Sequence, residues 1–157
     1  MISKILVGID DSEHAERTLR QAHELQQKLD CELVVFHSIK HKMISQSYPL
    51  PVPAFSPGAV YRIPLVDYNK LKEEYRKHGM KILEKAKKIV GTNNPKIETR
   101  LIEDYTPEEY VEMACKDENV DLIMLGEKGD HKVMEKLIGS IPEKVLREVH
   151  CDVLVVR

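Results

Sequence analysis

No apolar run in this 157-residue chain approaches the roughly 20 residues that cross a bilayer, so no membrane-spanning helix is expected. No sign of charge dominates either: 24 Lys and Arg face 26 Asp and Glu, for a net charge of −2. A nucleic-acid surface needs a basic excess, so none is expected, and charges this well mixed read as solvated faces. Cysteine is scarce. Cys31, Cys115 and Cys151 form no CxxC pair, and an odd count cannot all pair within one chain. They read as buried, reduced thiols of a cytoplasmic protein. Met1-Ile2-Ser3-Lys4 leads directly into a short strand, so no secretory leader is expected. Catalytic signatures are missing too. No serine sits in a G-x-S-x-G elbow, the one H-x3-H pair, His37 and His41, has no C-x2-4-C partner, so no zinc site is expected, and no nucleophile–base pair is evident. The length suits one domain, residues 1–157.

What is present is an alternation of strands and helices. Ile5–Ile9 and Glu32–His37, with its apolar run Leu33–Phe36, have the pattern of strands buried on both faces. Between them Ser12 is a good N-cap, and Leu19, Ala22, Leu25 and Leu29 recur at helical spacing until Asp30-Cys31 breaks the pattern. Residues 40–67 differ in kind: Tyr48 to Gly58 is proline-rich and cannot be helical. A loop of that length suits a lid, a dimer contact or a partner site, and equally an inert insertion. Asp67 is expected to cap a long helix that ends at Gly91. Lys96–Ile102 reads as a strand. Thr106-Pro107-Glu108-Glu109 starts a helix with an N-cap, a proline at N1 and a capping-box glutamate. Val120–Leu125 reads as a fourth strand, Asp130–Ile138 as a short helix, Ser140–Val149 as the last helix and Val153–Val156 as the fifth strand. Such alternation implies a parallel α/β sheet with helices on both faces.

Only seven glycines occur, and three of them fall in one window, LGEKGDHKVMEKLIGSIPEKVL. Gly126, Gly129, Gly139 and Ser140 are spaced G-x2-G-x9-G-S. Gly126 ends the apolar run Leu122–Leu125, and Ser140 with Glu143 has the form of a capping box. A strand running into a glycine turn, then a glycine at a helix start, brings backbone N–H groups up to a phosphate. The spacing is neither the P-loop signature nor G-x-G-x-x-G, so a nicotinamide cofactor is not supported.

With Lys4-Ile5-Leu6-Val7-Gly8-Ile9-Asp10-Asp11-Ser12-Glu13 at one end and Cys151–Val156 at the other, this motif resembles the universal stress protein family in its ATP-binding branch. The resemblance covers nearly the whole chain. It implies an open five-stranded sheet of order 3-2-1-4-5, like that of the adenine nucleotide alpha hydrolases, and a role as an ATP-dependent regulator of the stress response. Ligands of such sheets bind at the carboxyl ends of the strands where the order reverses, here between strands one and four. The implied adenine-nucleotide contacts are Gly8, Ile9, Asp10, Ser38, Gly126, Lys128, Gly129, Gly139, Ser140 and Ile141. Asp10 would accept hydrogen bonds from the sugar or base, and the backbone of Ser38 would meet adenine. ATP would bind alone or with Mg2+ or Mn2+, and any hydrolysis would be slow. Asp11, Glu127 and Asp130 add negative charge near this anion site, to be offset by Lys128, Lys132 or a divalent ion. Pro142 removes one backbone donor, and Asp104 replaces a common glycine. The resemblance also implies a homodimer joined through Val153–Val156.

Overall fold

The computed structural model describes residues 1–40, 47–49, 60–62, 64–91, 93–127 and 140–157. In chain order the elements are β1 (Lys4–Gly8), α1 (Glu13–Leu29), β2 (Glu32–Ser38), β3 (Ser47–Pro49), β4 (Val60–Arg62), α2 (Leu65–Val90), β5 (Ile97–Ile102), α3 (Pro107–Asp117), β6 (Leu122–Gly126), α4 (Ser140–Glu148) and β7 (Asp152–Val156). Five of the strands form one parallel sheet in the order β5-β2-β1-β6-β7. Counting those five along the chain, this is the expected 3-2-1-4-5.

The period of two in each strand divides the core between two faces. Ile5 and Val7 of β1 join Leu33 and Val35 of β2, and Met124 of β6, under α1 and α2. Leu6, Val34, Phe36, Ile123 and Leu125 point the other way, under α3 and α4. Each fully buried aliphatic or aromatic side chain contributes about 1.5–3 kcal/mol. This two-sided burial is why the strand sequences are apolar without alternation. The rings of Phe36 and Tyr110 meet in the second cluster with centroids 4.8 Å apart and planes tilted by 57°.

Local signals set most helix ends. The Ser12 hydroxyl accepts the Ala15 N–H, and Asp30 closes α1 in the left-handed conformation at φ 54°. Thr106 and Glu109 form the reciprocal capping box with Pro107 behind them. Gly91 ends α2 at φ +87°, a conformation that favours glycine.

Four local expectations need correction. Helix α2 begins at Leu65, capped by the backbone of Pro64, and Asp67 lies inside its first turn without serving as the cap. Proline pre-sets a backbone angle suited to a helix start, so the helix begins before the acidic residue. Within 40–67, β3 and β4 pair antiparallel, with Tyr48 level with Tyr61; the rest of the Pro-rich stretch lies outside the described residues, as does 130–138. Helix α4 includes Ser140 as its first residue, one step earlier than a cap at that position. Last, Cys115 and Cys151 are joined in a disulfide, and only Cys31 is free. A separation of 36 residues in sequence is 6.4 Å between Cα atoms in space, because α3 and the start of β7 flank the same end of β6. Burial pushes the Cys31 thiol up from its usual pKa, with the Asp30 carboxylate adding to the effect.

Candidate functional site at the carboxyl ends of the central strands

β1 lies between β2 and β6, and the direction of winding reverses at the β1–β6 pair. Two chain segments therefore leave the sheet side by side, Gly8-Ile9-Asp10 from β1 and Gly126-Glu127 from β6. Both strand ends are glycine for reasons of space. A Cβ on Gly8 would stand 2.9 Å from Leu125 Cδ2 and 3.0 Å from Phe36 Cζ. A Cβ on Gly126 would stand 3.1 Å from His14 Cβ and 3.2 Å from the His14 backbone carbon. The first turn of α1 is thus seated against the end of β6, and the N-terminal, electropositive end of α1 faces the reversal point.

The exit from β1 is held by neighbours on the sheet. The Ile9 N–H donates to the Phe36 carbonyl at 3.0 Å. The Ile9 carbonyl lies 2.7 Å from Nδ1 of His37, a side chain only 1% exposed. Asp10 then turns the chain: its Oδ1 accepts the Ser12 N–H at 3.0 Å, a local bond that tightens the entry to α1. At the end of β2, Ser38 is 2% exposed; its hydroxyl donates to the Tyr105 carbonyl at 2.6 Å and accepts the Lys40 N–H at 3.3 Å. The hydroxyl of Ser38 is thereby committed to joining β2 to the segment after β5.

The acidic residues near the site have cationic partners that the sequence reading did not anticipate. Lys85 of α2 bonds Asp11 at 2.7 Å, and the Asp11 carboxylate raises the Lys85 pKa. Arg157 lies 3.7 Å from Glu127. These partners are 74 and 30 positions away in sequence, so no local pattern could have shown them. A cleft of about 230 Å³ opens beside the β1 exit, lined by Ile9, Asp10, Asp11, Ser12, Ile82 and Lys85 among others.

Of the ten residues expected in the site, Gly8, Ile9, Asp10 and Gly126 meet at the reversal point, and Ser38 ends the neighbouring strand. Helix α4 runs back against the strand direction into β7, so Ser140 and Ile141 stand towards the same end of the sheet. Ser140 is exposed, whereas Ile141 packs partly into the core under α4. Pro142, beside them, is buried. Lys128, Gly129 and Gly139 lie outside the described residues, as do Asp130 and Lys132. Among the described residues no cluster of three or more His, Cys, Asp or Glu side chains could hold a metal ion, and no helix is long and apolar enough to cross a membrane.

Comparison with known proteins gives a consistent result. The chain is 30% identical over 157 residues to universal stress protein YxiE of Bacillus subtilis, covering the whole of both. Among solved structures, universal stress protein UspA from Lactobacillus plantarum superposes with a TM-score of 0.76 at 22% identity, covering 99% of this chain and 98% of that one. Two further neighbours were solved with nucleotides. One is a universal stress protein in complex with cAMP, at TM-score 0.64, 23% identity and coverage of 99% and 97%. The other is a universal stress protein from Archaeoglobus fulgidus in complex with dAMP, at TM-score 0.58, 21% identity and full coverage of both chains. The profile of the Universal stress protein family matches residues 1–157, and the chain belongs to that family.

Proposed function

We propose that this chain is an adenine-nucleotide-binding regulatory protein of the cytoplasm, that its ligand is ATP, and that the ligand sits at the carboxyl ends of β1 and β6. The observation that carries this reading is the convergence of the β1 exit and the β6 exit where the strand order reverses, the place where open α/β sheets hold their ligands. The cAMP and dAMP held by the two neighbours support the adenine part of it.

In this reading Gly8, Ile9 and Asp10 face the sugar and base, with Asp10 accepting hydrogen bonds, and the backbone of Ser38 meets adenine. Gly126, Lys128, Gly129, Gly139, Ser140 and Ile141 surround the phosphates, with Mg2+ or Mn2+ as a counter-ion. Lys85 and Arg157 neutralise Asp11 and Glu127, which removes part of the charge that would repel a triphosphate. Phosphate is bound mainly by backbone N–H groups and helix dipoles, and no residue is assigned to activate water, so any hydrolysis is slow. ATP acts by favouring one conformation or assembly over another, which requires different affinities for the two. The assembly is a homodimer through Val153–Val156. β7 is an edge strand of the sheet and Leu154 on it is 40% exposed, a combination that invites pairing with a second copy.

Calorimetric titration of ATP into Gly139→Val tests the site. The added side chain removes close backbone approach, and a steric cost of about 1–3 kcal/mol corresponds to binding weakened about 5–150-fold. Unchanged affinity would place the nucleotide elsewhere.

A second reading is a scaffold of the same fold that binds no nucleotide and acts through protein contacts. It is favoured by Pro142, buried next to Ser140 and Ile141 with no N–H to offer. Purified protein that shows no adenine nucleotide binding while still forming a dimer would favour it.

A further inference from the structure

The Cys115–Cys151 bridge lies at the opposite end of the sheet from the proposed nucleotide site. It joins the last turn of α3 to the residue before β7, and it lines a cleft of about 480 Å³ together with Lys116, Asp121, His150 and Asp152. Both cysteines are partly exposed, and both sit at the margin of the core cluster under α3 and α4. The centre of that cluster is Leu6, Phe36, Val111, Ala114, Ile123 and Val145; the two cysteines pack against it from its edge, Cys115 directly after Ala114 in sequence. The third cysteine is of the opposite kind. Cys31 is buried under α1 and α2, and burial pushes its thiol up, so it is a poor attacking group.

We propose that Cys115–Cys151 is a site of reversible thiol–disulfide exchange, opened by a dithiol reductant that enters this cleft. The thiolate of the reductant attacks one sulfur and forms a mixed disulfide. The other cysteine leaves as a thiolate and takes up a proton. The second thiol of the reductant then attacks the mixed disulfide, frees the remaining cysteine, and departs as an oxidised disulfide. Two electrons and two protons pass to the protein. A low-molecular-weight disulfide of the glutathione class reverses the reaction, taking the same two electrons and two protons and leaving as two thiols. A dithiol is the fitting partner because the protein keeps its two cysteines 6.4 Å apart between Cα atoms. In the mixed disulfide the freed cysteine stands close enough to close again and expel a monothiol. A dithiol instead completes the exchange itself. Disulfides inside reducing compartments are usually transient or redox-sensing; that consideration alone rests on the proposed cytoplasmic location.

The exchange leaves the fold intact, since the core on both faces of the sheet persists without the bridge. Opening a 36-residue loop relaxes a constraint on the unfolded chain, so the reduced form should melt about 10 °C lower than the oxidised form. The test is native-state alkylation of the wild-type protein after treatment with dithiothreitol, read by peptide mass spectrometry and accompanied by circular dichroism. The expected result is labelling of Cys115 and Cys151 within minutes, with Cys31 unlabelled, the spectrum unchanged, and the bridge restored by oxidised glutathione. Labelling of Cys115 and Cys151 only together with Cys31, in denaturant, would overturn the proposal, because the bridge would then be a fixed structural tie. Failure of oxidised glutathione to re-form the bond would overturn it as well. Reduced glutathione at the same thiol concentration should leave the bridge largely closed; opening it as fully as dithiothreitol does would overturn the dithiol class.

Discussion

The two ends of the central sheet are held together by different means. At the amino end the fastenings cross long stretches of sequence. Oδ2 of Asp121 accepts the backbone N–H of Ser3 at 2.7 Å, the Ser3 hydroxyl at 2.6 Å and the Lys4 N–H at 3.0 Å. Lys4 Nζ reaches the Glu118 carbonyl, Lys96 holds Asp30, and Cys115–Cys151 closes the α3–β7 corner. At the carboxyl end the strands stop in Gly8 and Gly126 and the Asp10 carboxylate turns back to Ser12, while the longer-range bonds there come from flanking elements, Ser38 to Tyr105, Lys85 to Asp11 and Arg157 to Glu127. One end joins strands β1 and β6 through side chains; the other leaves backbone close to an open cleft. With the proposed function, the division puts stability and ligand contact at opposite ends of the same strands. Substitutions at the two ends should therefore separate melting temperature from nucleotide affinity.

Asp10→Ala should have the largest effect on binding. If its carboxylate accepts a bond from the nucleotide, ATP affinity falls about 10–150-fold, equivalent to about 1.5–3 kcal/mol. The melting temperature should fall only slightly, through loss of the bond to Ser12. Calorimetry and thermal melts read the two quantities separately, and a large fall in melting temperature with unchanged affinity would break the division. Gly8→Ala marks the limit of the division, because Gly8 belongs to the core packing as well as to the strand end. A Cβ meeting Leu125 and Phe36 at 2.9 and 3.0 Å overpacks the second core cluster, at a cost of about 1–3 kcal/mol of stability by urea denaturation. A neutral result would mean that the strand end has room for a side chain.

At the amino end, Asp121→Ala should cost about 1 kcal/mol, because the group is partly exposed, and should leave ATP affinity unchanged. The same carboxylate gives a pH signature. Its three hydrogen bonds, from the Ser3 hydroxyl and the Ser3 and Lys4 amides, hold its pKa below the usual aspartate value. A depressed carboxylate contributes stability above its unfolded pKa, about 3.9, and loses it as pH falls through the lower folded value. Acid melts below about pH 4 should therefore be shallower in Asp121→Asn than in the wild type. Parallel curves would remove this fastening from the account. The smallest effect belongs to Lys85→Ala. Its exposed pair with Asp11 contributes little to stability, because solvent screens it. Loss of the cation leaves Asp11 unopposed, and ATP should bind a few-fold more weakly at low salt, with the gap closing as salt is added. Equal affinities at low salt would mean that Asp11 does not face the phosphates.

What the sequence made legible follows the range of the interactions. Ser12 and Thr106 were readable because a cap bonds within three residues. The strands were readable because burial on both faces leaves them uniformly apolar. The order of the strands came with the family resemblance, since periodicity carries no information on which strands are neighbours. The two stretches of the proposed site, at Gly8–Asp10 and at Gly126, were legible as motifs, and the sheet brings them side by side. The Asp11–Lys85 and Glu127–Arg157 pairs were not legible, nor was the disulfide, because each depends on segments that only the packed helices and strands bring together. The β3–β4 pairing was missed because strands of three residues, one containing Pro49, carry no measurable alternation. Asp67 was misread as a cap because an acidic residue in the first turn and one at the cap have the same composition signal; the position of Pro64 decides between them.

The central claim is that the carboxyl ends of β1 and β6 hold ATP. It is tested most directly by thermal melting of the purified protein as ATP and Mg2+ are titrated into the millimolar range. A ligand that binds only the folded state adds about 2.7 kcal/mol at 100 times its dissociation constant, which for a chain of this size is a rise of about 5–10 °C. The account predicts such a rise, growing with the logarithm of ATP concentration and diminished in Asp10→Ala. A melting temperature that stays flat to millimolar ATP would contradict it.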